Sequence, residues 1–217
     1  MEWKDWKPWY ERIIADLGFD PARDIEAAGL LGRLLEKRSG EARLLEDLIC
    51  GREAVVLGPA PLSDMHFDDA ILISAGSAAE QLLVKGIMPD IVVTDLDGNV
   101  RAQVMAQRSG ALVVVHAHGD NMPALREWVP RFRPPIIGTT QAEPFGLIHN
   151  FGGFTDGDRA VFMAMNFGAS RIILRGFDFA RPVGKPSADM DLKRKKLGYA
   201  RQLIEHAKKT SSIEIVA

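Results

Sequence analysis

The sequence predicts an α/β fold, a Rossmann-like, mainly parallel sheet with helices on both faces and a helical appendage at the N-terminus. Three observations carry that prediction. Continuous aliphatic and β-branched runs recur at 54–57, 70–74, 90–94 and 111–115, the form taken by strands buried on both faces. Helix-compatible stretches fit between and after them, at 77–85, 100–109, 121–128 and 158–167, and such alternation implies right-handed crossovers between parallel strands. Polar and acidic residues then gather just past the apolar runs, at the edge where open α/β sheets bind ligands. Further strands at 135–138, 170–174 and 213–216 complete the set.

Ahead of the first strand the periodicity is helical. Trp3, Trp6, Tyr10, Ile13, Ile14 and Leu17 recur at spacings of three and four, and Gly18 ends the run. The aromatic stripe is read as packing. Asp20 and Pro21 form an N-cap and first-turn pair for a second helix, which runs through Leu30, Leu31, Leu34 and Leu35 to about Lys37. A third helix covers 41–50. The division expected is therefore an N-terminal helical region at 1–50 and an α/β catalytic domain at 51–217.

Composition narrows the function classes. With 217 residues, 47% of them hydrophobic, the chain has ample material for one core. A net charge of -2 argues against a general nucleic-acid or membrane-surface binder. The single cysteine, Cys50, excludes an internal disulfide framework and fits a reducing compartment. The first ten residues are charged and tryptophan-rich, unlike a signal peptide, and no apolar run is long enough to span a bilayer. A cytoplasmic protein acting on small molecules is expected, with a homodimer left open.

The central stretch is 89–99, where Ile91, Val92, Val93 and Thr94 lead into Asp95 and Asp97, followed by Gly98 and Asn99. Two carboxylates spaced i, i+2 at a strand end converge on one cation, and hard oxygen ligands suit Mg²⁺ carrying phosphates. The alternative is a simple turn, because Asp, Gly and Asn are ordinary turn residues. After the first run, Gly58 and Pro59 open a tight turn continuing to Ser63, a place for backbone N–H groups to approach a phosphate. Ser77 follows the second run and also fits a helix cap. The fourth run ends in His116, His118, Asp120 and Asn121. These residues fit a zinc site by spacing alone; better, Asp120 is a third carboxylate for the Asp95/Asp97 cation, with the histidines on phosphate. Farther on come Gly138, Thr139, Thr140 and Gln141, and then Asn150, Phe151, Gly152, Gly153, Phe154, Thr155 and Asp156. Glycines, an aromatic ring and amide or acid groups in this last stretch suit a heteroaromatic ligand, although an ordinary helix entry reads similarly.

Taken together, five segments resemble the archaeal 6-hydroxymethyl-7,8-dihydropterin pyrophosphokinases, distant relatives of thiamine pyrophosphokinase. They are Val56-Leu57-Gly58-Pro59, the stretch 86–98, His116-Ala117-His118-Gly119-Asp120-Asn121, Gly138-Thr139-Thr140-Gln141 and the stretch 150–159. The resemblance runs from about residue 54 to the end of the chain. It implies an enzyme that uses ATP and Mg²⁺ to diphosphorylate the hydroxymethyl group of a reduced pterin, releasing AMP, in folate-type or methanopterin-type cofactor synthesis. It further implies Asp95, Asp97 and Asp120 as metal ligands, with His116 and His118 catalytic. Gly58, Pro59, Ser77, Asn121, Thr139, Thr140 and Gln141 become candidate ATP contacts, and Asn150, Gly152, Gly153, Phe154, Thr155 and Asp156 candidate pterin contacts.

Competing classes read the same residues differently. Asp95-Leu96-Asp97-Gly98 is similar to the opening of a haloacid-dehalogenase-type phosphatase, but it follows the third strand and continues with Asn99 rather than threonine. A nucleotide-sugar glycosyltransferase would use Asp-x-Asp for its metal. A non-catalytic nucleotide-binding module would not require acids at several strand ends. The basic run Lys193-Arg194-Lys195-Lys196 is either a solvated helix face or, with Lys185, a source of phosphate contacts from a closing segment.

Overall fold

A computed structural model describes residues 1–62, 67, 69–181 and 189–217. Ser63, Gly184 and Lys185 lie outside the described residues. Within them the elements follow in the order α1 (Trp3–Leu17), α2 (Pro21–Leu35), α3 (Arg43–Ile49), β1 (Glu53–Leu57), β2 (Ile71–Ala75), α4 (Ala78–Val84), β3 (Ile91–Thr94) and α5 (Val100–Arg108). Next come β4 (Leu112–Ala117), α6 (Met122–Trp128), β5 (Ile136–Thr140), β6 (Ile148–His149), α7 (Asp156–Asn166), β7 (Arg171–Arg175), α8 (Met190–Thr210) and β8 (Glu214–Val216).

The strands form one sheet in the order β6-β5-β4-β3-β2-β1-β7-β8, and every pairing is parallel. Side chains alternate across it as the pleat requires. Ile91, Val93, Leu112, Val114 and Ile137 face a core built with α1, α3, α7 and α8, whereas Val92, Val113, Val115 and Ile136 face α2, α5 and α6. Val55, Leu57 and Leu72 are covered by α4. Both faces are buried, which is why the strands read as unbroken apolar runs rather than alternating ones. The sheet order reverses at β1, between β2 and β7, and a crevice outside the strand ends is expected at such a reversal.

Local signals hold where side-chain chemistry sets them. Gly18 takes a left-handed φ of 68° and stops α1; Asp20 accepts a hydrogen bond from the Ala22 N–H at 2.9 Å ahead of Pro21. Asn99 caps α5 through the Ala102 N–H at 3.2 Å. Ser77 precedes α4 without making a side-chain cap. Two elements escape sequence reading. β6 has two residues, too few for any periodicity, and α8 is a 21-residue helix whose charged face hides its apolar stripe of Tyr199, Ala200, Leu203, Ile204 and Ala207.

The N-terminal helices reach the sheet edge by specific bonds. Trp6 donates its indole N–H to the Gln141 carbonyl at 2.8 Å, and the Tyr10 hydroxyl donates to Asp24 at 2.9 Å. Asp24, buried on α2, also accepts the Gly119 N–H at 2.8 Å, tying α2 to the loop after β4. Among the described residues no helix is long and apolar enough to cross a membrane.

Candidate active site

A cleft of about 800 Å³ opens along the carboxyl ends of β1 to β5 and β7. That is near the upper end for small-molecule sites, room for more than one small ligand. Its walls are the Gly18–Asp24 connection on one side and α8 with the segment after β7 on the other.

The end of β3 lies in its middle. Thr94 accepts the Leu96 N–H at 2.8 Å and bonds Gln103 at 2.8 Å, while Gln103 donates to the Asp97 carbonyl at 3.1 Å. This buried brace holds Leu96 at a φ of 66°, a left-handed conformation that costs a branched-chain residue about 1 kcal/mol or more. The strained turn carries Asp95 and Asp97 into the cleft, with Asp95 accepting the Asp97 N–H at 3.1 Å. His118 Nε2 stands 3.6 Å from the Asp95 carboxylate.

The start of α7 supplies a third acid. Asp156 accepts the Asp95 N–H at 3.4 Å and pairs with Arg159 at 3.1 Å. Arg159 is buried and donates to the Phe154 carbonyl at 2.9 Å, and Asp158 closes a capping box with Thr155 while taking the Phe154 N–H at 2.5 Å. Burial opposes ionisation of Asp95, but the His118 hydrogen bond and charge, Arg159 and the Asp97 N–H together hold its carboxyl below the ordinary value. Asp156 behaves oppositely. Burial, then the Asp95 charge, push it well above the usual carboxylate range despite Arg159. Burial likewise raises Asp158. His116 is held well below its ordinary value by burial and by the charges of Arg159 and His118, so the ring is neutral.

A divalent cation fits this edge. The acids are hard oxygen donors, and the Asp95 charge adds to burial in opposing ionisation of Asp156, a repulsion that a cation between the two would relieve. Among the described residues no group of three or more His, Cys, Asp or Glu side chains is placed to hold a metal ion. Mg²⁺ does not require one, since it is usually held by one or two carboxylates with water and substrate phosphates.

The cleft gathers Pro59, Ser77, Asp95, Asp97, His116, His118, Asp120, Gln141, Phe154, Thr155 and Asp156 from the residues singled out in the sequence. Asp120 is exposed and lies 3.9 Å from Arg23. Gly58, Asn121, Thr139, Thr140, Asn150, Gly152 and Gly153 do not line the cleft. A Cβ on Gly58 would sit 2.5 Å from the Gly176 carbonyl, so the glycine lets β1 and β7 end side by side. Asn121 donates to the Asp95 and His116 carbonyls at 2.8 and 2.7 Å and joins the ends of β3 and β4. Thr139 contacts His116, Thr140 accepts the Ala142 N–H, and Asn150 bonds Ala142 and Gly152. From the basic run, Lys193 and Lys196 reach the cleft, whereas Arg194 pairs with Asp191 and Lys195 with Asp16. Sequence reasoning missed Phe19, Arg23 and Asp24, which belong to the N-terminal helices, and gave Arg159 no role. Only burial distinguishes Asp24 from the other acids of an amphipathic helix.

Gly153 has φ 88°, and a Cβ there would lie 2.4 Å from the Arg159 Cα. Gly153→Ala should therefore cost roughly 2–4 kcal/mol, through backbone strain and displacement of α7. Urea unfolding checks it; a change below about 0.5 kcal/mol, the usual scale for a surface substitution, would contradict the contact.

An all-parallel sheet with an acidic, partly buried cleft at its carboxyl edge defines an α/β protein built to bind small ligands there. The chain belongs to the 6-hydroxymethylpterin diphosphokinase MptE-like family, whose model matches residues 51–184. It is 42% identical over 231 residues to a 6-hydroxymethyl-7,8-dihydropterin pyrophosphokinase from Methanothermobacter thermautotrophicus, covering 99% of each chain. Proteins of the same name from Pyrococcus furiosus, 42% identical, and Methanocaldococcus jannaschii, 35% identical, align over 100% of this chain and 98% and 100% of their own.

Proposed function

We propose that this protein transfers the terminal diphosphate of ATP to the hydroxymethyl oxygen of 6-hydroxymethyl-7,8-dihydropterin. The observation that carries this reading is the order of groups along one cleft. Asp95 and Asp97 lie just past the end of β3, between the ends of β1 and β2, with Pro59, Gly76 and Ser77, and the ends of β4 and β5, with His116, His118 and Gln141. ATP occupies the first side and the pterin the second, so the reacting atoms meet over the acids. The family membership and the names of the relatives support the same assignment.

Asp95 and Asp97 would hold Mg²⁺, with Asp156 beside them; Asp120 joins the set from the β4 edge only by leaving Arg23. When bound, the ion neutralises phosphate charge and aligns the β-phosphorus. The acceptor oxygen bonds to that phosphorus, the bond to the α-phosphate oxygen breaks, and AMP leaves. His118, steadied by Asp95, orients the acceptor hydroxyl and takes its proton. Lys193 and Lys196 add positive charge from α8. The product is the activated pterin that folate-type or methanopterin-type cofactor synthesis consumes.

Incubation with ATP, Mg²⁺ and the dihydropterin, followed by chromatography of nucleotides and pterins, tests the reading. AMP formed in step with pterin diphosphate is expected. ADP with a pterin monophosphate, or phosphate release alone, would overturn it.

A further inference from the structure

Asn121 does not line the cleft, yet its side chain is committed to the two strand ends that carry the reacting groups. It is 7% exposed at the start of α6 and makes no side-chain cap for that helix. Its amide turns back instead. Nδ2 donates to the Asp95 carbonyl at 2.8 Å and to the His116 carbonyl at 2.7 Å, and Oδ1 accepts the His118 N–H at 3.1 Å. A carboxamide has two N–H hydrogens, and both are used.

The sheet register explains what that amide does. β3 and β4 pair from Ile91 with Leu112 to Thr94 with Val115, and the ladder ends there. Asp95 and His116 are the next residue on each chain, and past the ladder the Asn121 amide takes over as the cross-link. His118 Nε2 stands 3.6 Å from the Asp95 carboxylate, and each of these two residues has a backbone group bonded to the one side chain. A shift of that amide therefore moves both halves of the pair.

Gln103 offers a comparison within the same molecule. It is also a fully buried amide that joins strand ends: Nε2 donates to the Asp97 carbonyl at 3.1 Å and the Gly76 carbonyl at 3.4 Å, and Oε1 accepts from Thr94. These bonds brace the β2 side of the acidic turn. Only Asn121 of the two bonds to His118.

We infer that Asn121 is a positioning residue, which sets His118 against Asp95 without touching substrate. This rests on the role given to His118 in the reading above.

The test is a pair of double-mutant cycles on AMP formation, with kcat and with KM for MgATP and for the dihydropterin. Wild type, Asn121→Ala, Asn121→Asp, Gln103→Ala and His118→Ala are compared with the two alanine variants combined with His118→Ala, each checked by thermal melting. Misplacing a reacting group by about 1 Å costs on the order of 10²-fold. Asn121→Ala should accordingly lower kcat by about 10–10²-fold and leave both KM values within about threefold. In the His118→Ala background the same substitution should cost no more than about twofold, because the group it positions is gone. Asn121→Asp keeps the shape and the acceptor but loses the donors, and its kcat should fall as far as that of Asn121→Ala. Gln103→Ala should cost the same factor with His118 present or absent. If Asn121→Ala does not fold, Asn121→Ser, whose short hydroxyl cannot bridge both carbonyls, replaces it in the cycle.

An Asn121→Ala loss of equal size in both backgrounds overturns the inference. So does a loss seen in KM rather than kcat, a wild-type kcat in Asn121→Asp, or coupling to His118 no stronger than that of Gln103. Product chromatography separates the levels. Pterin diphosphate from the wild type, with His118→Ala impaired but uncoupled from Asn121, defeats only the positioning assignment. A wild type that makes no pterin diphosphate, or a His118→Ala protein with the wild-type rate, defeats the parent reading and this one with it.

Discussion

Asp95→Asn is expected to lower the rate of AMP formation by about 10²-fold or more, because phosphoryl transfer depends on charge neutralisation and positioning. Asparagine keeps the shape of the side chain and an acceptor for the Asp97 N–H, so the strained turn at Leu96 survives. What disappears is the anion that faces His118 at 3.6 Å and that the surrounding groups hold ionised. A ligand that binds only the folded state raises its melting temperature. Mg²⁺ with ATP should therefore stabilise the wild type and leave Asp95→Asn nearly unmoved. Melting curves with and without MgATP, alongside steady-state rates, make the check. Wild-type turnover in a properly folded Asp95→Asn protein would falsify the placement of the cation.

Arg159→Met should produce the largest loss of stability. The guanidinium is buried among Asp95, Asp156 and Asp158 and donates to Asp156 and the Phe154 carbonyl. Methionine fills similar space and leaves Asp156 and Asp158 without their counter-charge. Breaking one side of a buried ionic cluster costs about 3–5 kcal/mol. The pH dependence has a definite sign. Asp156 and Asp158 are already raised above ordinary carboxylate values, and removal of Arg159 raises them further. A carboxyl whose folded pKa is raised contributes its full stability below the unfolded value, near 3.9, and loses it as pH climbs through the folded value. The deficit of Arg159→Met relative to wild type should thus be small near pH 5 and large near pH 8. Denaturant titrations at both pH values measure it. A deficit that widens toward acid would show that Arg159 serves packing rather than charge.

The sequence by itself determined the layered α/β fold, because burial on both faces forces strands into unbroken apolar runs, and these alternate with helix-compatible stretches along the chain. It also determined the ends of α1, α2 and α5, where Gly18, Asp20 and Asn99 satisfy the backbone locally. Asp95, Asp97, His116 and His118 were legible for a related reason: a polar residue directly after a buried strand lies at the ligand-binding edge whatever else the chain does. Tertiary structure alone decided which of the polar residues share the cleft. Asn121 and Asn150 turn inward to brace loops, since their short amides reach nearby carbonyls before they reach solvent. Asp156 comes to Asp95 because α7 begins beside the end of β3, a neighbourhood separated by about sixty residues of chain. Asp24 carries no local signal. It enters the site because α2 packs across β4 and β5, bringing one face of an N-terminal helix against Gly119 and Gln141, and only contacts between distant segments specify that.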